Sequence, residues 1–566
     1  MTKFILGKSR WIGILVLPVV MLFVFQSAFA QSSTLTSISG RIIDAQGLPV
    51  GKAVVLLLIN GAEESDYHTQ TNHDGVFLLD IPAKNVISLD LEIKHPHFAT
   101  HIWSANDEEI GYIEDGAAIR VPDIQLERKL TGGFWVATFV FAIVLILIMT
   151  ERLHTTSAAL LGAAIILTVS MIGSALGADT YIFDFEQAIG YVDFEVIFLV
   201  LGMMIIVGTI ERTGIFQWTA YQAYRTSQGR IWLLAVILML LTSIASALLD
   251  NVTTMLLMTP ITLQIALTLG VNPLALIIPE MLASNVGGIA TLIGTPNNIL
   301  IGSYAGLGFN DFLRDLTPGV FLVQIALTLY VLFIFRREYK SDDEIDSDIL
   351  LERLRENAQI TQPEVLKKAG AVFIVTLLLF ILGERLHMVP AVTAMIGAAG
   401  TLLVVRADTD EILKVVDWNT LLFFIALFMI VGAIQEVGLI SLIASGIHGL
   451  VADNLTAAIL VTLWGTGMLC LLIPTIPLTA ALLPVIGFLT RSIPGASSNV
   501  LYYSLSMGSA LGANNSLIGA TNNMVTAGIA QRAGYPISFK AFIKIGFPAA
   551  LLTLTVGTIY ILIRFL

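Results

Sequence analysis

The sequence predicts a polytopic α-helical membrane protein with two inverted-topology repeats, each containing a re-entrant hairpin and a broken helix, preceded by a small β-sandwich. Three observations lead to this prediction. The chain has 566 residues and is 56% hydrophobic and only 13% charged, whereas soluble domains are about 45–50% apolar and about 25% charged. Apolar stretches of bilayer-spanning length recur along most of the chain. The two halves of this apolar region also carry the same motifs in the same order.

The composition excludes several functional classes. With 30 Lys and Arg against 42 Asp and Glu, the net charge is −12, and we expect no nucleic-acid partner because such proteins present basic surfaces. The single cysteine, Cys470, excludes an internal disulfide framework and a multi-thiolate metal site. The eight histidines are scattered and include no H-E-x-x-H motif of the zinc-binding kind. We therefore expect no cofactor other than Na⁺ or H⁺ as a coupling ion.

Residues 1–30 have the pattern of a secretory signal peptide. Three basic residues precede the apolar run 11–25, and an A-x-A cleavage site follows at 28–30. The alternative is an uncleaved first transmembrane helix, although this run is short for a span. In either case, we expect the segment that follows to be exported.

Residues 31–126 predict a small exported β-sandwich. Short β-branched runs flank a turn at 44–47, and a second turn at 72–75 precedes a strand at 76–81. The pattern G-x-(I/V)-x-D-x-x-G-x-P-V, followed by T-x-x-D-G-x-F-x-L, resembles carboxypeptidase-regulatory-like modules. That resemblance implies a domain that binds or braces rather than catalyses. His95 and His97 flank a proline, and two close histidines in a loop are more typical of solvated side chains than of metal ligands.

From residue 134 onward, apolar stretches that could span a bilayer dominate the chain. They cover 134–150, 156–176, 194–210, 318–335, 369–382, 390–405, 419–434 and 546–563. Two further apolar regions, 231–305 and 456–529, are interrupted by Pro, Gly and Asn. The polar insertion 336–368 separates transmembrane repeat 1 (134–335) from transmembrane repeat 2 (369–566), and we expect it to be a cytoplasmic linker.

The duplication is visible in long matching segments. VDFEVIFLVLGMMIIVGTIERTGI at 192–215 corresponds to VDWNTLLFFIALFMIVGAIQEVGL at 416–439. SNVGGIATLIGTPNNIL at 284–300 corresponds to SALGANNSLIGATNNMV at 509–525. The charged tetrad Glu-Arg-Leu-His also occurs once in each half, at matching places. Low-complexity apolar sequence does not produce charged tetrads and Asn-Asn pairs in consistent order, so the halves are repeats of one unit.

The distribution of basic residues indicates that the repeats are inverted. Loop 211–230 contains three arginines, whereas its counterpart 435–455 contains no Lys or Arg. Conversely, 406–418 contains Arg406 and Lys414 while its counterpart 177–193 contains neither type. Both asymmetries follow the positive-inside rule if the copies cross the membrane in opposite directions, as in many secondary transporters. We expect a multi-pass protein of the inner (plasma) membrane, with the β-domain periplasmic or extracellular and the linker 336–368 cytoplasmic.

Each repeat contains two polar interruptions. Within lipid, an interrupted helix is tolerated only where its freed backbone groups face protein or a water-filled cavity. The first interruption holds Asp250 and Asn251 in repeat 1 and lies at 473–479 in repeat 2. The apolar run around Asp250 is too long for one span and too short for two, which predicts a re-entrant hairpin with these residues at its turn. The second, at 294–298 and 519–523, is expected to unwind a helix near mid-membrane.

Broken helices suit the binding of a cation and an anion in one site. Freed carbonyl oxygens, together with Asp, Asn and Thr oxygens, can ligate a hard cation, and helix N-termini attract an anion. An ionisable residue within a span costs at least about 2.5–3.5 kcal/mol, so Asp250 is expected to be functional. The candidate cation-binding residues are Asp250, Asn251, Thr253, Gly294, Thr475 and Gly519, with Na⁺ expected at Asp250, Asn251 and Gly294. The candidate substrate-binding residues are Thr254, Thr295, Asn297, Asn298, Thr479, Thr521, Asn522 and Asn523.

The segment SNVGGIATLIGTPNNILIGS at 284–303 resembles the signature of the ion transporter superfamily. The resemblance is closest to the branch that holds the melanosomal P protein, arsenite permeases and sodium/proton antiporters of the NhaD type. GTPNN at 294–298 is also similar to the G-T-P-P-N of sodium-coupled dicarboxylate and citrate symporters, which transport divalent anions with sodium. Their hairpin tip, S-N-T, aligns with 250–252 and 474–476 here.

This resemblance covers about 134–566 and carries several implications. It implies two cation sites, each between a hairpin tip and an unwound helix, on either side of one substrate. It implies homodimers built on a scaffold domain, with the hairpin-bearing domain moving as an elevator. P-protein-like sequences have Asp where this chain has Thr295, and typically Asp-Asn where it has Pro474-Thr475. The second cation site is therefore expected to be weakened, lost, or built from carbonyls and hydroxyls.

The sequence thus predicts a secondary active transporter that moves a small anion, an inorganic oxyanion or a di- or tricarboxylate, with Na⁺ or H⁺. The alternative is a Na⁺/H⁺ antiporter of the NhaD or P-protein type without an organic substrate, since one Asp can alternate between a proton and Na⁺. An intramembrane enzyme is disfavoured because the sequence has no G-x-S-x-G or H-E-x-x-H motif. Glu280, which follows Pro279 near an expected helix end, is expected at the membrane interface rather than in coupling.

Overall fold

The computed structural model describes residues 35–566 apart from 46, 48, 83–85, 151, 177–178, 341–358 and 407–408. The predicted signal peptide at 1–30 and most of the predicted linker at 336–368 lie outside the described residues. The chain divides into two compact units, Met1–Lys129 and Leu130–Leu566, each with its own hydrophobic core.

The first unit contains eight described strands and one short helix. The strands are β1 (Leu35–Asp44), β2 (Val54–Ile59), β3 (Ala62–Gln70), β4 (Val76–Pro82), β5 (Leu89–His95), β6 (Phe98–Ser104), β7 (Ile119–Arg120) and β8 (Ile124–Leu126), and the helix is α1 (Asp107–Glu114). One sheet has β1 at its centre, antiparallel to β4 and parallel to β7 and β8. The other is antiparallel in the order β3-β2-β5-β6. Alternate residues of both sheets fill one core, which makes a β-sandwich.

The predicted turn at 72–75 and the strand after it are confirmed. Asn72 closes the turn, because its Oδ1 accepts hydrogen bonds from the backbone N–H of Asp74 (3.0 Å) and Val76 (2.9 Å). Gly75 has φ +71°, and a Cβ there would lie 2.3 Å from the Ile42 carbonyl oxygen, so this position requires glycine.

The expectation of solvated histidines in this unit was wrong. His97 is buried, and His95 packs against its ring and against Phe98. Burial, followed by the charges of His97 and Arg128, lowers the pKa of His95 to about 3. His95 is therefore a neutral packing residue at physiological pH. No group of three or more metal-binding side chains forms among the described residues.

The second unit contains two sets of helices in the same order. Repeat 1 comprises α2 (Gly132–Met149), α3 (Thr155–Leu176), α4 (Phe185–Gly190), α5 (Phe194–Glu211), α6 (Ile215–Ser227), α7 (Ile231–Leu248), α8 (Asn251–Thr268), α9 (Leu274–Gly287), α10 (Pro296–Ala305), α11 (Phe309–Asp315) and α12 (Thr317–Ile334). Repeat 2 comprises α13 (Pro363–Gly383), α14 (Pro390–Val405), α15 (Thr409–Leu413), α16 (Trp418–Glu436), α17 (Leu439–Val451), α18 (Leu455–Leu469), α19 (Thr475–Ser492), α20 (Val500–Gly512), α21 (Thr521–Arg532) and α22 (Phe539–Phe565). The predicted spans match these helices, and the last one begins seven residues earlier than expected.

Among the described residues, ten helices are long and apolar enough to cross a membrane. Helices α7 and α8 are both among them, with 18 residues each, or about 27 Å of helix. The argument that the run around Asp250 is too short for two spans was therefore wrong. The hairpin nevertheless forms, with Asp250 as the N-cap of α8, and its turn lies against the middle of a broken helix, as described below.

The same helix contacts occur in both repeats, with the partners exchanged. Helix α5 packs on α14, and its counterpart α16 packs on α3. Each hairpin packs on the broken helix of its own repeat (α7 on α9, α18 on α20) and of the other (α8 on α21, α19 on α10). The helices thus form a scaffold group (α2, α3, α5, α13, α14 and α16) and a hairpin group (α7–α10 and α18–α21).

Each hairpin approaches its broken helix at a glycine. A Cβ added to Gly287 would lie 2.2 Å from the Ser243 carbonyl oxygen, and one added to Gly512 would lie 2.5 Å from the Gly467 carbonyl oxygen. Gly287 and Gly512 occupy equivalent positions, as do Ser243 and Gly467. Backbone-to-backbone contact therefore fixes the spacing between hairpin and broken helix in both copies.

We predict that Gly287→Ala lowers the stability of the membrane unit, because the new methyl group collides with backbone that cannot rotate away. The expected cost is about 1–3 kcal/mol, seen as a lower midpoint of thermal unfolding in detergent. Gly528→Ala is the matched control, since a Cβ at this helical glycine meets nothing within 4 Å and alanine favours the helix. Equal midpoints for the two variants would contradict the close packing.

Candidate transport site

The broken helix of repeat 1 is held open by one asparagine. After α9 the chain makes one turn of 3-10 helix, Gly288–Ala290, and is then non-helical from residue 291 to residue 295, with a turn between the extended residues Thr291 and Thr295, before α10 begins. The Nδ2 atom of Asn298 donates to the carbonyl oxygens of Gly288 (3.1 Å), Ile289 (3.2 Å) and Thr291 (2.8 Å). Asn298 is fully buried, so its amide takes the place of water for carbonyls that the break has freed.

The broken helix of repeat 2 repeats this arrangement. One turn of 3-10 helix, Ala513–Asn515, is followed by a non-helical segment at 516–520, with a turn between the extended residues Ser516 and Ala520, and then by α21. The Nδ2 atom of Asn523 donates to the carbonyl oxygens of Ala513 (2.9 Å) and Ser516 (3.1 Å). The unwinding predicted at 294–298 and 519–523 thus exists in both copies, and it begins three residues earlier than predicted.

A chain of buried amides connects the two repeats. Asn285 donates to the Oδ1 atoms of Asn514 (2.8 Å) and Asn523 (3.2 Å) in repeat 2. Asn285 also accepts from the Nδ2 atom of Asn251 at the first hairpin tip (3.2 Å). In the other direction, the Ser506 hydroxyl donates to Asn298 Oδ1 (2.6 Å). Each break therefore depends on side chains from the other repeat.

The tip of the first hairpin is capped by a carboxylate. Asp250 Oδ1 accepts from the backbone N–H of Val252 and Thr253, both at 2.9 Å, and Oδ2 accepts from the Thr253 hydroxyl at 2.5 Å. Capping of this kind stabilises a helix start by about 1 kcal/mol. The Asn251 side chain turns inward, where its Oδ1 accepts a hydrogen bond from the Ser246 hydroxyl.

The tip of the second hairpin has no side-chain cap. Pro474 occupies the N-cap position of α19 and makes no side-chain hydrogen bond. The Thr475 N–H donates instead to the Gly519 carbonyl oxygen in the neighbouring break, at 3.1 Å. The Gly519 carbonyl oxygen therefore accepts a hydrogen bond from the start of α19, as the Asp250 carboxylate does from the start of α8.

A hydroxyl ties each break to its hairpin. Thr291 donates to the Ala247 carbonyl oxygen, and Ser516 donates to the equivalent Leu471 carbonyl oxygen at 3.0 Å. Gly294 and Gly519 lie so close to the hairpins that a Cβ on either would contact hairpin backbone oxygens at 2.8 and 3.0 Å. Hairpin and break therefore form one packed unit in each repeat.

A cavity of about 510 Å³ lies between the scaffold group and the hairpin group. The first turns of four helices in the hairpin group border it, through Thr253 on α8, Pro296 on α10, Thr475 on α19 and Thr521 on α21. Helix N-termini carry partial positive charge, although the first N–H groups of α8 and α19 already donate to Asp250 and to the Gly519 carbonyl. Asp250 also lines this cavity, so a carboxylate and four helix starts border one space.

The other predicted site residues lie deeper, outside the cavity wall. These are Asn251, Thr254, Gly294, Thr295, Asn297, Asn298, Thr479, Gly519, Asn522 and Asn523. Four of them have buried polar atoms without a hydrogen-bond partner among the described residues: Asn297 Oδ1, Asn522 Nδ2 and the hydroxyls of Thr254 and Thr479. Buried polar groups are normally paired, so these atoms are available to a ligand.

Sequence reasoning missed several polar residues of the cavity. His154 and Glu211 line its scaffold side, and both stand at helix boundaries where the sequence suggested loop residues. Asp417 caps α16, accepting from Thr420 Oγ1 at 2.6 Å, and it also lines the cavity. This cap repeats the Asp-x-x-Thr spacing of Asp250 and Thr253, which is the signal that could have identified it.

Comparisons with known proteins agree with this architecture. The profile of the CitMHS family, described as citrate transporter, matches residues 145–508. A 46 kDa membrane protein of Mycobacterium leprae is 35% identical over 432 residues, covering 76% of this chain and 99% of the relative. An uncharacterized transporter of Mycobacterium tuberculosis is 36% identical over 431 residues, covering 76% and 98%. The human P protein is 30% identical over 525 residues, covering 78% of this chain and 62% of its own length.

A solved structure shares the fold. The YdaH transporter of Alcanivorax borkumensis superposes with a TM-score of 0.53 at 15% identity, covering 76% of this chain and 97% of the other. The predicted helical fold with inverted repeats is confirmed, and so are the resemblance to the ion transporter superfamily and the expectation of a non-enzymatic permease. The chain is a membrane transporter that belongs to the CitMHS citrate-transporter family.

Proposed function

We propose that this protein is a secondary active transporter that moves a small anion, an inorganic oxyanion or a di- or tricarboxylate, coupled to Na⁺ or H⁺. The observation that carries the proposal is the cavity between the scaffold and hairpin groups, where four helix N-termini and Asp250 meet. Helix N-termini attract anionic groups, and a carboxylate attracts a cation. One space therefore offers both charges a partner.

The cation is assigned to the first hairpin tip. Asp250 supplies the negative charge. The oxygens of Asn251, Thr253 and Gly294 are the other ligands that we assign to the cation, because hard cations prefer oxygen ligands. A second site at Thr475 and Gly519 is weaker, because the tip lacks a carboxylate and the Gly519 carbonyl already accepts the Thr475 N–H.

We assign the substrate to the polar side chains around the non-helical segments of the two broken helices. The unpaired atoms of Thr254, Asn297, Thr479 and Asn522 support this assignment, and Thr521 borders the cavity. The remaining candidates are Thr295, Asn298 and Asn523. The two asparagines among them act by holding the breaks open, since their amide hydrogens are occupied by backbone carbonyls.

Transport in this proposal is an elevator movement of the hairpin group against the scaffold group. The location of the cavity between these groups supports it. The protein acts as a homodimer in the inner membrane lipid bilayer, with its β-domain on the periplasmic or extracellular face and the linker 336–368 in the cytoplasm. The positive-inside pattern of the loops supports this orientation.

We predict cation-dependent anion uptake by the purified protein in liposomes. Citrate is the first substrate to test because the family profile is described as citrate transporter, followed by dicarboxylates and inorganic oxyanions. Uptake is expected to rise when an inward Na⁺ or H⁺ gradient is applied and to be low in K⁺ at symmetrical pH. The absence of cation-dependent flux for every anion would refute symport.

We predict that Asp250→Asn abolishes the cation dependence of uptake while leaving the protein folded. Asparagine caps helices as well as aspartate does, so the variant removes the charge and retains the cap. The matched control is Asp193→Asn, because Asp193 caps α5 through the Val196 N–H (3.2 Å) and does not line the cavity. Cation-driven uptake by Asp250→Asn at the wild-type rate would contradict the assignment.

The second candidate function is Na⁺/H⁺ antiport without an organic substrate. It is favoured by the charge of the cavity wall, which includes Glu211, Asp250 and Asp417 with His154 and no described Lys or Arg. A wall of this composition suits a cation better than a free polyanion.

A pH-sensitive dye trapped in liposomes distinguishes the two functions. If the protein is an antiporter, added Na⁺ drives protons across the membrane without any anion, and Asp250→Asn abolishes the signal. If proton movement requires an added anion, antiport is wrong and symport is supported.

A further inference from the structure

Glu280 is a carboxyl group that the proposed transport site does not use. It lies in α9, where every residue from Ala275 to Gly287 is buried, and its own exposed fraction is 0%. Its expected place at the membrane interface was therefore wrong. The reason is that Pro279 lies inside α9 rather than at its end. The Ala275 carbonyl, which loses its helical partner to this proline, accepts the Tyr339 hydroxyl at 2.8 Å instead.

The carboxyl is only half paired. Glu280 Oε1 accepts from the Thr262 hydroxyl of α8 at 2.9 Å, whereas Oε2 has no hydrogen-bond partner among the described residues. The Thr242 hydroxyl of α7 faces the same carboxyl and is also unpaired. A protonated Oε2 is a donor, and the Thr242 oxygen is an acceptor. Because a hydroxyl both donates and accepts, Thr242 can pair with Oε2 both when the carboxyl holds the proton and when it has released it, as a reversible proton site requires.

No cation in the described structure balances a charge on Glu280. Helices α7 and α8, which pack on either side of it, contain no ionisable residue within their bounds. Of the other helices that contact α9, α12 and α20 contribute only tyrosines. Helix α21 carries Arg532, and α22 carries Lys540, Lys544 and Arg564. None of these cations acts on the Glu280 carboxyl, which is influenced by its burial and by Thr262 and Thr242. The ionisable groups beyond these are Glu338 and Tyr339, neither of which carries positive charge. An ionised carboxylate here would be an unpaired buried charge.

Repeat 2 shows that the fold does not require this carboxyl. The positions equivalent to Glu280 and Thr262 are Leu505 and Ile486, which pack as ordinary buried aliphatic residues. Thr466 remains at the position of Thr242. The packing of α20 on α19 therefore forms without a buried acid, whereas the equivalent packing of α9 on α8 includes Glu280, whose burial costs free energy. A purely structural role does not explain that difference.

A row of buried polar side chains, called here the polar seam, extends from Glu280 towards the hairpin tip. It comprises Glu280, Thr242, Ser284, Ser246 and Asn251. One helical turn nearer the break, Ser284 on α9 and Ser246 on α7 have hydroxyl oxygens 3.2 Å apart. The Ser246 hydroxyl also contacts Asn251, beside Asp250. Since residues four apart lie on one helix face, Thr242 and Ser246 continue the seam on α7, as Glu280 and Ser284 do on α9. All the members of the seam are buried.

We propose that Glu280, with Thr242 and Thr262, is a proton-binding site inside repeat 1, and that the Ser246–Ser284 seam extends from it to Asn251, the residue beside Asp250. In transport, the O–H bond at Oε2 breaks as the proton passes to the seam hydroxyls, and a new O–H bond forms on the Asp250 carboxylate, which borders the cavity. Rebinding of a proton reverses the step. This proposal rests on the proposed function for its coupling role, but the presence of a proton on Glu280 is independent of any substrate.

The first test is infrared spectroscopy of the purified, ligand-free protein near neutral pH. A protonated carboxylic acid has a carbonyl-stretch band separate from those of carboxylates and amides. We expect this band in the wild type, its loss in Glu280→Gln and Glu280→Leu, and its retention in Glu195→Gln, which alters an exposed carboxylate. Glutamine preserves the shape of the acid and leucine copies repeat 2, so at least one variant is expected to fold. A band unchanged in a folded Glu280 variant would overturn the proposal.

The second test measures proton movement with a pH dye trapped in liposomes, driven by Na⁺ and then by citrate. Glu280→Gln is expected to lose the proton signal, while Glu195→Gln retains the wild-type rate. If the wild type moves no protons under either gradient, antiport, proton-coupled symport and the coupling role of Glu280 are wrong, whereas Na⁺-coupled symport is decided by the uptake assay. The infrared test still decides whether Glu280 holds a proton. If Glu280→Gln moves protons at the wild-type rate, the coupling role is wrong.

Discussion

The constraint on which this structure depends is the pairing of backbone groups where a helix breaks inside a membrane unit. A break frees carbonyl and amide groups that water cannot reach, and each unpaired group costs several kcal/mol in a hydrocarbon environment. Asn298 and Asn523 meet this cost by donating to the freed carbonyls of their own breaks. Because these amides are fully buried, the non-helical segments between the half-helices have one defined conformation.

The same pairing joins the two repeats into one site. Asn285 of repeat 1 bonds to Asn514 and Asn523 of repeat 2, and Ser506 of repeat 2 bonds to Asn298 of repeat 1. Neither half could satisfy its own polar groups alone. Against this symmetric framework the asymmetric positions are informative, because the shared fold does not account for them. The first tip retains a carboxylate where the second has Pro474, and α9 retains an acid where α20 has a leucine.

Much of this architecture could be predicted from the sequence, and the exceptions have physical causes. Helix bounds and both breaks follow from apolar length and from the Gly and Asn-Asn pattern. The amide partners of Asn285 could not be predicted, because a lone asparagine in an apolar helix does not indicate which distant helix it faces. The sequence placed Glu280 near a helix end because a proline commonly begins a helix. In the structure Pro279 lies inside α9, and the Tyr339 hydroxyl donates to the Ala275 carbonyl that the proline leaves without a helical partner. Glu211 was missed because the sequence does not show that its helix end borders a cavity.

The hydroxyl links from Thr291 and Ser516 to the hairpin backbones have a consequence for recognition. They hold each break against its hairpin through hydrogen bonds within the protein, so the polar atoms that face the cavity have defined positions. An incoming ion then has little chain to order, and most of its interaction energy remains as affinity. Selectivity in such a pocket arises from how well a solute fits a rigid outline, and solutes of the wrong size are rejected because the walls cannot adjust to them.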